Sequence, residues 1–198
     1  MNDEVWMINC GWWVPDVCHR LYLDDVFYDL GSGTGRAVMA ACLTLPLRAC
    51  IGVEIMNTLH HTATSLIPHL HSLCDAGPAD KHDVSHCPGN INHVSFINTS
   101  FFSQTQWVHH ADIIFIASLC FTNDTMDKLS RMVAGCRRGT RIATFKDIDH
   151  ERLRKYATIR LPMSWGGVTV LFYIVQWWMQ TRSFIFLINK LKKEIKIK

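Results

Sequence analysis

The run VFYDLGSGTGRAVMAACL, residues 26–43, sets three glycines, Gly31, Gly33 and Gly35, between a β-branched and aromatic segment and a segment of small and aliphatic residues. The first composition suits a buried strand and the second a helix packed on a sheet, so the glycines mark a strand-to-helix turn. Glycine reaches positive φ and permits close backbone approach, and the start of a helix carries backbone N–H groups without intrahelical partners. A turn of this kind, preceded by the acid Asp29, predicts a nucleotide or cofactor site.

The pattern continues along the chain. A helix follows the turn to about Leu45, where Pro46 breaks it, and ACIGVEI, residues 49–55, reads as a second strand carrying Glu54 near its end. Residues 56–74 are helix-like, and the Gly-, Pro- and Asp-rich stretch at 76–90 reads as a loop. Further strands are expected over 93–102, 111–118 and 139–145, with a helix from TNDTMDKL capped by Thr122 or Asn123. TIRLPMSW and GVTVLFYIVQ then form two adjacent strands, with a turn at Gly166 and Gly167. Strands alternating with helices and ending in a strand pair predict an α/β fold, its sheet mostly parallel and finished by an antiparallel C-terminal pair.

Composition limits the partners. With 198 residues, 48% of them hydrophobic, the chain can bury one core, and a formal charge of +3 is too small to diagnose nucleic-acid binding. The reading divides the chain into a short N-terminal segment, 1–20, one domain, 21–176, and a hydrophobic and basic tail, 177–198, containing KLKKEIKIK. Eight cysteines without a CxxC pair read as reduced, mostly buried thiols, and the early acids of MNDEVWMINC argue against an export signal. The apolar stretch 168–188 is interrupted by Gln176, Gln180, Arg182 and Ser183, which argues against a membrane span. His60, His61, His69, His71, Cys74, His82, His86, Cys87 and His93 bunch together but match no compact pattern of paired zinc ligands. They read as surface and core residues, with no metal expected.

The spacing narrows the cofactor. The glycines run G-x-G-x-G, with Arg36 where a dinucleotide fingerprint has its third glycine, and no Gly-Lys-Ser or Gly-Lys-Thr follows as in a P-loop. DLGSGTG followed by GVE resembles the cofactor pattern of class I S-adenosylmethionine-dependent methyltransferases. Taken with NTSFF, IFIASLCF before TNDTMDKL, RRGTRIATFK and MSWGGVTVLFYI, the order and spacing over about residues 20–175 resemble the non-SET histone lysine methyltransferases of the disruptor-of-telomeric-silencing type.

That resemblance implies a Rossmann-like seven-stranded sheet, S-adenosylmethionine as cofactor, and a protein lysine, on histone H3 in nucleosomes, as acceptor. It places Asp29, Gly31, Ser32, Gly33 and Gly35 near the methionyl part of the cofactor, Glu54 on the ribose hydroxyls, and Ser100 and Phe101 at the adenine. Phe121 and Trp165 would wall the channel for the target amine, with Ser118 supplying a polar contact. Arg137, Arg138, Arg141 and the C-terminal lysines would supply weak nucleic-acid contact, in a nuclear protein. Two departures matter. The family has one or two asparagines where this chain has Ala117 and Ser118, and its cofactor-covering loop has no counterpart in residues 1–23, where Trp12 and Trp13 are the replacements in view. These departures motivate one alternative, a binding module that has lost turnover; a methyltransferase for a non-histone substrate is a further alternative.

Overall fold

The computed structural model describes residues 24–75, 90–163 and 166–176. Seven strands form one sheet: β1 (Val26–Leu30), β2 (Ala49–Glu54), β3 (Val94–Asn98), β4 (Ile113–Ile116), β5 (Arg141–Thr144), β6 (Leu153–Met163) and β7 (Gly166–Val175). The helices are α1 (Arg36–Thr44), α2 (Asn57–Ser65), α3 (Ile67–Asp75), α4 (Gln106–His110) and α5 (Asn123–Ala134). The strand order is β3-β2-β1-β4-β5-β7-β6, parallel from β3 through β5, with β7 inserted antiparallel between β5 and β6. The expected architecture is therefore present.

Both faces of the central strands are covered, which is why VFYDL reads as a continuous rather than an alternating apolar run. Phe27 and its neighbours pack with Val38, Ala41 and Cys42 of α1, whereas Val26, Tyr28 and Leu30 pack with Trp107 of α4 and Met126, Leu129 and Val133 of α5. The small residues of α1 let it lie close to the sheet. Thr122 caps α5, its hydroxyl accepting from the Thr125 N–H at 3.2 Å.

Three expectations are corrected. The helix predicted over 56–74 is two helices parted at Leu66, because Pro68 has no N–H to continue the ladder and is tolerated only in the first turn of α3. β6 begins at Leu153 rather than at Thr158: as an edge strand it keeps exposed Arg154 and Lys155 in solvent, and a bulge between Lys155 and Ala157 absorbs the change of register. Gly166 and Gly167 are not the turn but the first residues of β7, opposite Met163 and Pro162.

Two charged pairs fasten the other end of the sheet. Arg141 donates to Asp25 at 2.7 Å with both side chains largely buried, and Arg137 reaches Asp112 at 2.8 Å on the surface. Arg141 is thereby withdrawn from the basic surface assigned to it from sequence. The Cys42 and Cys50 thiols are buried in the core, and interaction with the Cys42 thiol foremost, together with burial, pushes the Cys50 thiol well above its ordinary value. Cys136 is pushed up to about 12, again by burial, whereas Cys120 is exposed.

Phe96 of β3 locks the glycine turn to the sheet. A Cβ at Gly35 would lie 2.5 Å from the Phe96 ring, and one at Gly52 would lie 2.5 Å from the same ring and 2.6 Å from Ser32 Oγ. Gly52→Ala is therefore expected to destabilise the fold by about 1–3 kcal/mol, the range for overpacking a filled site. Urea unfolding measures it, and an unchanged midpoint would show that Phe96 moves aside freely.

Candidate functional site

The turn after β1 crosses the carboxyl ends of the parallel strands, beside the switch in strand order between β1 and β4, where open α/β sheets hold their ligands. Gly31, Gly33 and Gly35 have φ of 86°, 55° and 80°, so all three adopt a conformation that side-chain-bearing residues rarely take. Gly35 is the residue preceding α1, in left-handed geometry, and contributes no capping side chain.

The loop spends its donors internally. Gly31 N and Ser32 N both donate to Val53 O, at 2.8 and 3.1 Å, and Gly35 N donates to Ser32 O at 2.8 Å. Gly33 N donates to Glu54 Oε2 at 2.8 Å, while Met56 N donates to Glu54 Oε1 at 2.7 Å. The sequence reading had these N–H groups pointing at the ligand. The structure turns four of them onto the protein, and the loop that results is not a phosphate cradle. An added Cβ at Gly33 would meet nothing within 4 Å, so the backbone is open to close approach there.

Glu54 is 6% exposed and sits where β2 ends. Each carboxylate oxygen accepts one backbone N–H, which leaves acceptor capacity on both. Asn98 keeps the end of β2 in place, its Nδ2 donating to Glu54 O at 2.9 Å. Asp29 is buried at the carboxyl end of β1. The Ser32 hydroxyl is turned down over Gly52, buried, so this side chain packs under the loop instead of facing outward.

An aromatic group stands beside the glycines. Phe121 and Phe101 stack with centroids 5.7 Å apart and planes 28° from parallel, and Phe101 meets Phe102 at 4.5 Å. A Cβ at Gly31 would lie 3.3 Å from Phe121 Cζ, so the lack of a side chain there gives the ring its place. The Phe101 carbonyl accepts from Trp107 Nε1 at 2.8 Å, and Ser100 Oγ accepts from Phe102 N at 3.2 Å; both fix the exit from β3.

Ser118 does not take the position expected of it. Its side chain is fully buried, with Oγ 2.9 Å from Thr144 Oγ1 and accepting from Lys146 N at 2.8 Å. The hydroxyl is consumed in joining the exits of β4 and β5 and does not face an acceptor amine. Ala117, the neighbouring departure, is exposed at the end of β4. Trp165, with Trp12 and Trp13, lies outside the described residues.

Sequence reasoning passed over Lys146, whose Nζ donates to the Phe121 carbonyl. The available signal was its position just beyond the carboxyl end of β5, in RIATFK. Asp147 follows, bonded to Lys155 and to the Tyr173 hydroxyl; these hydrogen bonds, that to Lys155 foremost, hold its carboxyl below the usual carboxylate range. Asp147 is thus not poised to accept a proton at neutral pH. Among the described residues, no group of three or more His, Cys, Asp or Glu is placed to hold a metal ion. Among them, too, no helix is long and apolar enough to cross a membrane.

Solved structures share this architecture. The tRNA methyltransferase TrmK of Bacillus subtilis superposes with a TM-score of 0.55 at 13% identity, over 88% of this chain and 66% of that one. A mutant of MtNAS in complex with S-adenosylmethionine gives 0.52 at 15% identity, over 77% and 55%. At these identities the likeness establishes the Rossmann-like fold. Residues 14–176 match the family described as "Histone methylation protein DOT1", and the chain belongs to that family. A relative, "Histone-lysine N-methyltransferase, H3 lysine-79 specific" of Kluyveromyces lactis, is 26% identical over 129 residues, 63% of this chain and 21% of that protein. The chain spans about a fifth of the relative's length.

Proposed function

We propose that the chain binds S-adenosylmethionine over the loop from Gly31 to Gly35 and transfers a methyl group to a lysine of a protein substrate, histone H3 in nucleosomes. Family membership and the H3-specific relative support the substrate class. The observation that carries the cofactor is the division of labour at the glycine turn: the N–H groups of Gly31, Ser32, Gly33 and Gly35 are bonded internally, and beside them the buried acceptor Glu54 has capacity to spare. Such a site suits a ligand that offers hydroxyl donors and positive charge, and it ill suits a pyrophosphate.

In this reading Glu54 takes the ribose hydroxyls, and the open backbone at Gly33, with Gly31, Gly35, Asp29 and Ser32 around it, takes the methionyl end. Ser100 and Phe101 border the adenine. Bound there, S-adenosylmethionine supplies an electrophilic methyl group for in-line displacement. The protein's share is alignment and exclusion of water. A lysine amine, with a reference pKa of about 10.4, must be neutral to attack, and a poorly hydrated aromatic wall disfavours its charged form. Phe121 supplies that wall, and Trp165 is assigned to it by resemblance. Nuclear localisation follows from the chromatin substrate.

A second reading rests on Ala117 and Ser118, which present no amide or free hydroxyl at the end of β4. The chain would then bind cofactor without turnover. Incubation with tritiated S-adenosylmethionine and recombinant nucleosomes is expected to label histone H3. No label on any histone would remove the substrate. Calorimetric binding without transfer to any protein in a cell extract, and transfer regained by Ala117→Asn, would decide for the second reading.

A further inference from the structure

Three contacts converge on the segment that carries Phe121. Ser118 Oγ and Thr144 Oγ1 are 2.9 Å apart, Lys146 N donates to Ser118 Oγ at 2.8 Å, and Lys146 Nζ donates to the Phe121 carbonyl. Thr144 Oγ1 also donates to Lys146 O at 3.2 Å, so the lysine is held through both backbone groups while its side chain reaches back across the gap between the ends of β4 and β5. Ser118 and Thr144 are wholly buried, and Lys146 is half-buried. The far end of the segment has its own fixed points, since Phe121 N donates to Ser118 O at 3.0 Å and Thr122 caps α5.

We propose that Lys146 is a positioning residue for the acceptor amine: its ammonium clamps the Phe121 carbonyl and thereby holds the Phe121 ring between Gly31 and Phe101. The inference rests on the methyltransferase reading above and goes one step further, assigning to a residue outside the aromatic wall the task of setting that wall. The ammonium is suited to this. It makes a charge-assisted hydrogen bond, stronger than a neutral one, to a carbonyl whose own residue forms the wall. Loss of the bond frees the carbonyl and lets the ring rotate away from Gly31, which widens and hydrates the amine's approach. The glycine loop and Glu54 are bonded independently of Lys146, so cofactor affinity should not follow.

The test compares Lys146→Met and Lys146→Arg with the unmodified full chain. With nucleosomes and tritiated S-adenosylmethionine, Lys146→Met is expected to raise KM for the acceptor about tenfold, with the calorimetric Kd for S-adenosylmethionine changing less than twofold. Lys146→Arg keeps a cationic donor and should recover most of the loss. Amide hydrogen exchange gives a second measurement that needs no activity: protection should fall over residues 118–122 in Lys146→Met while Ile113–Ile116 keep theirs. Unchanged exchange over 118–122 would overturn the clamp. Equal losses in acceptor KM and cofactor Kd would reduce Lys146 to a fold-stabilising residue and overturn the assignment. An unmodified chain that binds S-adenosylmethionine but methylates no protein removes the methyltransferase reading and with it the acceptor role, an outcome distinct from failure of the clamp.

Discussion

Glu54→Ala is expected to lower affinity for S-adenosylmethionine at least 100-fold. Two hydrogen bonds from ligand hydroxyls to a carboxylate are lost, and bonds to charged groups contribute about 1.5–3 kcal/mol each. About 1.4 kcal/mol corresponds to a factor of ten, so even the low end of that range gives roughly the stated loss. The same substitution strips Gly33 N and Met56 N of their acceptor, and the loop loosens as well. Glu54→Gln separates the two contributions. It retains one acceptor oxygen but turns an amino group toward a backbone N–H, and it should fall between the parent and the alanine variant. Isothermal titration calorimetry of all three, with melting temperatures recorded alongside, checks the order. Equal affinity of parent and Glu54→Ala would refute the cofactor site.

The largest expected loss of stability lies at the opposite end of the sheet. Arg141→Leu leaves the Asp25 carboxylate, 4% exposed, without its guanidinium. Removing one member of a buried ion pair costs about 3–5 kcal/mol, because the remaining charge stays away from water. Urea denaturation should show that loss, and the double variant Arg141→Leu with Asp25→Asn should regain much of it by neutralising the buried carboxylate. A single variant within 1 kcal/mol of the parent would mean that water reaches Asp25 once the arginine is gone. In either case cofactor affinity measured below the unfolding transition should hold, since this pair lies at the amino ends of β1 and β5, across the sheet from Glu54 at the carboxyl end of β2.

The contrast between these two residues explains which parts of the molecule could be read from its string of letters. Glu54 is legible because its neighbours in sequence define it: an apolar run, a terminal acid, and a glycine turn one helix earlier. Arg141 is not, since it resembles Arg138 in the same basic run, and its partner Asp25 is 116 residues away in sequence. The place of Ser118 was hard to read for the same reason. Its hydroxyl is claimed by Thr144 and Lys146, 26 and 28 residues further on, and only the parallel pairing of β4 with β5 brings them together. The mostly parallel sheet with its antiparallel C-terminal pair followed from the alternation of elements, yet the start of β6 did not, because an edge strand tolerates Arg154 and Lys155 that periodicity reads as loop. The helix break at Leu66 was legible in principle, as Pro68 announces it. The donors of the glycine turn were the least accessible part: the same G-x-G-x-G spacing could present them to a ligand or fold them onto Val53 and Glu54.

That inward folding has a consequence for how a ligand is met. Because Gly31, Ser32, Gly33 and Gly35 already have their bonds, and Phe96 fills the space beneath Gly35 and Gly52, this part of the proposed receptor surface is formed before any guest arrives. Little conformational freedom is left there to surrender on association, so the entropic toll falls on the incoming molecule and not on its host. At this turn, selectivity would then come from a preformed mould, which discriminates by shape and donor pattern.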